Sequence, residues 1–568
     1  MTQKSSPDKL VETLLQTVDP SEIADGSLRR TVEILLNVIE ELQTKTKELE
    51  SENQRLRDEN NRLKGEQGKP DVKANKPKGF KDNHSSESYR KTPSKHTKSD
   101  KNAYIKIDRK EILEYPQSSL PSDAEFKGYE EVIIQDILLE TDNVLFRKEK
   151  YYSPQEGKTY LAPLPPGYDG EFGPGIKALV ISLYYGGNMT QGKLLEFLEN
   201  IGISMSAGYL SNLLIKKHSG FEVEFNEVYI EGLASSSWQH FDQTSARVKG
   251  VNHTTNVICN PLYTVYSTTV KKDRLTVLGV LQNKQELEFI LNPLTYELLD
   301  SLHLPTKWSN KIKLLPQGKV FTQLEFTNLL DKYLSELGSQ HRTRVLEAAA
   351  IAFYHQQCSF PVVQTLVCDD APQFKLLTDT LALCWVHEAR HYKKLSPFVG
   401  CHQIALDKFL DEFWIYYRQL LAYRDSPNEK TKIELKSRFW ELFDTQSGYK
   451  QLDERKRLTA AKVSELLLVL EHPELPLHNN PAELAARTMV QRRNISYGTQ
   501  TIEGTFAWDI FMSLVATTRK LGISFFEYIR DRISHNCKIP SLATIIKEKS
   551  SIYPQTVSLQ DELLLNTG

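Results

Sequence analysis

Six leucines stand seven residues apart near the start of the chain: Leu28, Leu35, Leu42, Leu49, Leu56 and Leu63. A repeat of seven matches two turns of a slightly underwound helix, so the leucines line one seam that needs another helix against it. With the leucines at position d, the a positions read Val32, Ile39, Thr46, Asn53 and Asn60. Asn at a costs stability but favours a parallel, two-stranded pairing in fixed register. The plainer alternative is a lone amphipathic helix on a core, and the flanks of Glu, Lys, Arg and Gln leave no second apolar face for it. The expectation is a coiled coil over residues 28–64 that makes the chain a homodimer or a higher assembly.

A chain of 568 residues exceeds one compact core, so two to four units are expected. Residues 1–64 form the N-terminal region with its coiled coil. Residues 65–103 read as a disordered linker, since 69–101 hold ten Lys and Arg against four Asp and Glu. Such a stretch suits a polyanion, or is simply solvated. Residues 104–172 carry short β-like runs and suggest a small β-containing module. Residues 173–230 look helical, with two short helices around Gly202 resembling a helix-turn-helix that could read DNA. Residues 231–533 would form the main α/β domain, with helical insertions at about 284–360 and 398–475, and 534–568 a tail. The six cysteines are scattered without a Cys-x-x-Cys pair, which favours a reducing cytoplasm. Neither an apolar leader nor a membrane-spanning run is expected.

Between residues 238 and 270 three strand-like runs follow one another: WQHFDQTSARV, VNHTTNVICN and PLYTVYSTTV. Asp242 lies inside the first. A carboxylate in a central strand is costly to bury without a cation or metal. A later apolar strand, VVQTLVCDD, stops at Asp369 and Asp370, the place where α/β sheets bind ligands. The APQFKLLTDTL that follows is expected to open a helix with Pro372 in its first turn. A third acid, Glu483, sits in LHNNPAELAARTMVQRR. Asn480 as cap would put Glu483 at the third helical position, where a capping box is its purely structural explanation. Together, two strand carboxylates and a helical Glu make a metal-binding triad plausible. Two divalent cations held there would clamp the attacking and leaving oxygens of an in-line phosphoryl displacement.

These residues resemble the insertion-sequence-66 family of bacterial transposases, from about Gly173 to Ile533. The family's His-x-Asp-Glu-Thr motif corresponds to His240-Phe241-Asp242-Gln243-Thr244. The second family Asp corresponds to Asp369, with Asp370 as the neighbouring candidate. The family's Cys-x-x-His-x-x-Arg motif is met by Cys384, His387 and Arg390, and its Asn-Asn-x-x-Glu by Asn479, Asn480 and Glu483. The segment TQTIEGTFAWDIFMSLVATTRKLGISFFEYIRDRI is similar to the family's end. Two departures stand out. Gln243 replaces the family's Glu, and the cysteines of the family's zinc module are missing from 104–172.

The resemblance implies a ribonuclease-H-like mixed sheet as catalytic core and a metal-dependent polynucleotidyl transferase. Asp242, Asp369 and Glu483 would be both catalytic residues and ligands of Mg2+, with Mn2+ able to substitute; no zinc site is expected. The substrate would be double-stranded DNA, transposon ends and target, in the bacterial cytoplasm at the nucleoid. Arg390, Arg487, Arg492, Arg493 and Lys520 are candidate phosphate contacts, with a solvated face as their plainer explanation. His240, Cys384, His387, Asn479 and Asn480 would support the site. The rival expectation is a catalytically decayed, transposase-derived dimer that only binds DNA.

Overall fold

The computed structural model describes residues 15–63 and 105–552, apart from 117–118, 122–123, 138, 169, 217–218 and 284–285. The basic linker lies outside the described residues.

Helix α1 (Gly26–Leu63) runs for 38 residues. Its heptad leucines are all more than half exposed. A different face docks on the body: Leu36 is buried with Leu15 and Val399, and Val32 and Ile39 pack beside them. Two of the a residues therefore face the same chain, which corrects the expectation that no second apolar face exists. Buried Glu40 explains why that face looked too polar in the sequence. Its carboxylate accepts from the amides of Phe398 and Val399 and sits 3.1 Å from His402 Nδ1.

Residues 105–172 hold one hairpin, β1 (Lys150–Ser153) with β2 (Lys158–Leu161). Apolar side chains before it, such as Leu113, Ile134 and Leu145, are more than four-fifths exposed. Of the small β-containing module expected here, the described residues show this one hairpin and exposed apolar side chains before it.

Helices α2 (Pro174–Ile181), α3 (Gln191–Asn200), α4 (Ala207–Ile215) and α5 (Ser219–Ala234) follow. Thr190 and Ser206 cap α3 and α4, and Gly202 turns between them at φ +80°. Leu194, Leu198, Leu210, Leu213 and Leu214 are buried between these helices and the sheet domain.

The sheet begins with β3 (Trp238–Val248), β4 (Val251–Asn260) and β5 (Tyr263–Thr269), an antiparallel run. Lys249 and Gly250 join the first two with φ +48° and +76°, the positive pair that a tight two-residue hairpin needs. After β5 come α6 (Arg274–Leu281), the short pair β6 (Glu288–Ile290) and β7 (Val320–Thr322), and helices α7 (Pro293–Ser301), α8 (Thr306–Ile312), α9 (Gln323–Tyr333) and α10 (Ser339–Gln356). The chain re-enters the sheet as β8 (Thr365–Cys368) and β9 (Thr380–Leu383). The order is β5-β4-β3-β8-β9, with β8 parallel to both β3 and β9. A mixed α/β fold with a five-stranded mixed sheet is thus present. Between β8 and β9 the expected helix does not form; only a 3-10 turn, Pro372–Phe374, precedes β9.

Helix α11 (Trp385–Lys393) leads into a second, aromatic core built on α12 (Gly400–Asp425), α13 (Glu429–Asp444), α14 (Lys450–Ala460) and α15 (Val463–Leu466). Trp385, Phe413, Tyr416 and Phe439 are fully buried there, so these rings are core and not base-stacking platforms. Helix α16 (Asn480–Ser496) then packs on β3 and β4, and α17 (Ile502–Leu521) runs along the free edge of β5, where Thr517, Ser513 and Asp509 take the amides of Thr264, Tyr266 and Thr268, followed by α18 (Phe525–Ile533) and α19 (Leu542–Ile552). Leu542 and Ile546 of α19 are buried, so the segment expected as a tail contributes to the main core. Among the described residues no helix is long and apolar enough to cross a membrane.

Candidate active site

The parallel pairing of β3 with β8 matches Trp238 to Thr365 and His240 to Val367. Continued by two residues, the same register sets Asp242 opposite Asp369. Neighbouring strands lie about 4.8 Å apart, and residues two apart share a face. Asp242 and Asp369 therefore project side by side where β8 ends and β3 continues. Glu483 reaches the same place from the first turns of α16.

Electrostatics agrees with this convergence. The Asp242 carboxyl is pushed up to about 7, chiefly by burial and further by the charges of Glu483 and Asp369. Its main compensation is a 2.8 Å hydrogen bond from the Gln243 amide. Asp369 accepts from the Ala371 amide at 3.2 Å. Asp370 is occupied elsewhere: it pairs with Lys375 at 2.9 Å and Lys462 at 2.7 Å, which hold its carboxyl below the usual range despite burial. Of the two adjacent acids, Asp369 is the one whose charge acts on Asp242.

Glu483 does not cap its own helix. The cap is Asn479, one residue earlier than expected, and no capping box forms. The Glu483 carboxylate instead accepts from Arg390 Nη2 at 2.7 Å and lies 3.6 Å from His387 Nδ1. Arg390 Nη1 donates to His387 Nε2 at 2.8 Å. The ring proton is then on Nδ1, facing Glu483. His387 stays neutral, its pKa lowered to about 4 by burial and then by the Arg390 charge. His387 thus supports Glu483 through Arg390, whose guanidinium it orients. Ligand atoms of Cys384, His387 and Glu483 all lie within 4.8 Å of one another. The Arg390 guanidinium on Glu483 and a thiol pushed up to about 12 by burial oppose a soft metal there.

The remaining support residues lock α16 to β3. His240 Nδ1 lies 2.9 Å from Asn479 Oδ1, and Asn479 Nδ2 donates to the Phe241 carbonyl at 2.7 Å. The Asn479 amide donates to Cys384 Sγ at 3.2 Å. Burial keeps His240 neutral, well below its ordinary pKa. Asn480 is buried in the first turn of the helix.

The basic candidates divide. Arg492 is fully buried, 3.9 Å over the Tyr184 ring, and donates to the Tyr184 carbonyl. Lys520 Nζ donates to the carbonyls of Asn260 and Tyr263 at 2.6 and 2.9 Å. Burial leaves Arg492 no path to a polyanion and makes it a structural cation, whereas Lys520 is half-buried with its ammonium engaged by the two carbonyls. Arg493 remains half-exposed, with Nη1 on Ser245 Oγ. Arg487 lies one turn after Glu483 on α16 and is half-buried.

Some contributors had no signal in the sequence. Arg274 donates to the carbonyls of Lys375 and Pro372 at 2.9 Å and pairs with Glu347, fixing the turn after Asp370. Gln373 donates to Gln243 Oε1 at 2.9 Å, and Gln243 donates to Asn256 Oδ1 at 2.7 Å. A Glu at 243 could not make the second bond, which accounts for Gln here.

The family model described as "Transposase IS66 family" matches residues 342–507, the span holding Asp369, Cys384, His387, Arg390 and Glu483. An uncharacterized protein of Sinorhizobium fredii, y4jO, is 30% identical over 321 residues, covering 56% of this chain and 99% of its own length. With this match over the segment that carries its second and third acids, the chain belongs to the IS66 family of transposases.

Proposed function

We propose that this chain is a DNA transposase that cleaves and joins DNA strands at the ends of an insertion sequence by two-metal phosphoryl transfer. The carrying observation is that three acids far apart in sequence bear on one another, with Asp242 raised to about 7 by burial and by Glu483 and Asp369. The strand order β5-β4-β3-β8-β9, three antiparallel strands and then two parallel, resembles a ribonuclease-H-like sheet and supports the same reading.

The donor set fits magnesium or manganese: hard carboxylate oxygens with excess negative charge that a divalent cation would offset. Asp242, Asp369 and Glu483 would hold the ions. When bound, the ions supply the positive charge that acidifies the attacking oxygen and stabilises the leaving one. Asp242 must give up its proton to serve as a ligand. Arg390 holds Glu483 until then and afterwards is placed to face a phosphate oxygen. His387, neutral, accepts from Arg390 and so holds that guanidinium against Glu483. The His240–Asn479 bond keeps α16 in place on β3 as charge moves.

For partners, the exposed stripe Leu42, Leu49, Leu56 and Leu63 of α1 supports pairing with a second copy. Because Val32 and Ile39 already face the body, the pairing segment is the distal part of 28–64. The test is cleavage and strand transfer on a duplex carrying the ends of the element, with Mg2+. Asp369→Asn should reduce both products to background while DNA binding stays at the wild-type level. Full activity in that variant would remove Asp369 from the site. A wild type that binds but never cuts would favour a decayed, DNA-binding dimer.

A further inference from the structure

Helix α16, which starts at the acid site, ends on a residue in an unusual conformation. Tyr497 caps it at φ 59°, ψ 12°, in the left-handed region, with its side chain 84% exposed. That position ordinarily takes Gly or Asn. An aromatic residue held there is strained, and an exposed ring buries little apolar surface to offset it. The mount is rigid. Gly498 follows at φ 103°, and a Cβ on it would fall 2.3 Å from the Arg247 carbonyl oxygen. The Thr499 amide donates to that carbonyl at 3.1 Å, and the Lys249 amide donates to the Thr499 carbonyl at 2.8 Å. Tyr497 is thereby fastened to the tip of the β3–β4 hairpin. Three cations surround this tip: Arg247, Lys249 and Arg493. Arg247 and Arg493 donate to the Gly250 carbonyl and to Ser245 Oγ. Among the described residues, none of the three has a carboxylate partner.

Two routes measure the tip against the acids. From Glu483 to Tyr497 is fourteen residues of helix, about 21 Å at 1.5 Å each. From Asp242 to Val248 is six residues of strand, about 20 Å at 3.3 Å each. Both arrive at the same spacing, about six base pairs of duplex.

We infer that the hairpin tip is a second DNA contact, about six base pairs from the phosphate at the acid site. Arg247 and Lys249 bind the backbone there, and Tyr497 wedges its ring against a base step. The inference rests on the transposase reading and adds to it a location and a residue that reads the bases' faces.

The test uses the full-length chain and a fluorescein-labelled mixed-sequence duplex of about 40 base pairs, followed by anisotropy across salt concentrations. Tyr497→Ala should weaken binding about tenfold, while Tyr497→Phe keeps it. The Arg247→Ala/Lys249→Ala pair should flatten the slope of log affinity against log salt by about two. Tyr497→Gly should weaken binding yet raise the thermal midpoint, because the strain is relieved. If wild type binds and these variants match it, the inference falls and the transposase reading stands. If wild type binds no duplex, the transposase reading itself falls and takes the inference with it. A Tyr497→Gly protein that loses binding and thermal midpoint together would also overturn the inference, since Tyr497 would then be serving the fold.

Discussion

Replacing Asp242 by Asn keeps the shape of the side chain and removes its charge. In the folded protein this carboxyl titrates at about 7, against an ordinary value of 3.8. Between those two pH values the native state holds one more proton than the unfolded chain. Stability therefore falls as pH rises across that window and stays lowered above it. The full difference corresponds to about 4 kcal/mol; with relaxation of the site, about 2 kcal/mol is a reasonable lower figure. Asp242→Asn should thus stabilise the metal-free protein at pH 8.5, by roughly 2 to 3 °C in melting temperature for a chain of this size. At pH 4 the two proteins should melt together. The assay is thermal denaturation in chelator at both pH values, repeated with Mg2+. Magnesium should raise the wild-type midpoint at pH 8.5 and leave the variant nearly unmoved. A variant that melts at or below wild type at pH 8.5 in chelator would refute the reasoning, since Asp242 would then be well compensated without a cation.

Three further outcomes follow from contacts at and around the site. Arg390→Ala leaves the Glu483 carboxylate, only 11% exposed, without its ion-pair partner, and should cost about 2–3 kcal/mol in urea denaturation. Arg390→Lys should recover only part of this, because the guanidinium serves both His387 and Glu483. Arg492→Ala removes a buried cation stacked on Tyr184 and should cost about 3 kcal/mol or more, whereas Arg493→Ala should stay within about 0.5 kcal/mol while weakening DNA binding. Leu49→Lys with Leu56→Lys should yield monomers in light scattering at an unchanged melting temperature for the body; persisting dimers would place the interface elsewhere.

What could be read from the residues were features set by local pattern. The strands at β3, β4 and β5 announce themselves through β-branched runs and the Lys249-Gly250 turn. Asp242 and Asp369 lie far apart in sequence with an expected helical insertion between them, and the parallel register of β3 on β8 brings their strands together. Cap geometry was misplaced by one residue at Asn479, because adjacent asparagines offer no local way to choose between them. The turn after Asp370 looked helical; the carbonyls of Pro372 and Lys375 are instead taken by Arg274, a residue about a hundred positions away. Arg492 read as a surface cation because sequence shows charge and not depth. The second face of α1 was hidden for the same reason, since its centre is a buried Glu40 paired with His402 and not an apolar residue.

The central claim is that Asp242, Asp369 and Glu483 together hold divalent cations. Crystals of the full chain soaked in Mn2+ and measured at the manganese absorption edge test it most directly. The account predicts two anomalous peaks, each touching carboxylate oxygens of this trio, with Arg390 released from Glu483. Peaks confined to Cys384 and His387, or an unmetallated trio with the Arg390–Glu483 pair intact at saturating Mn2+, would contradict it.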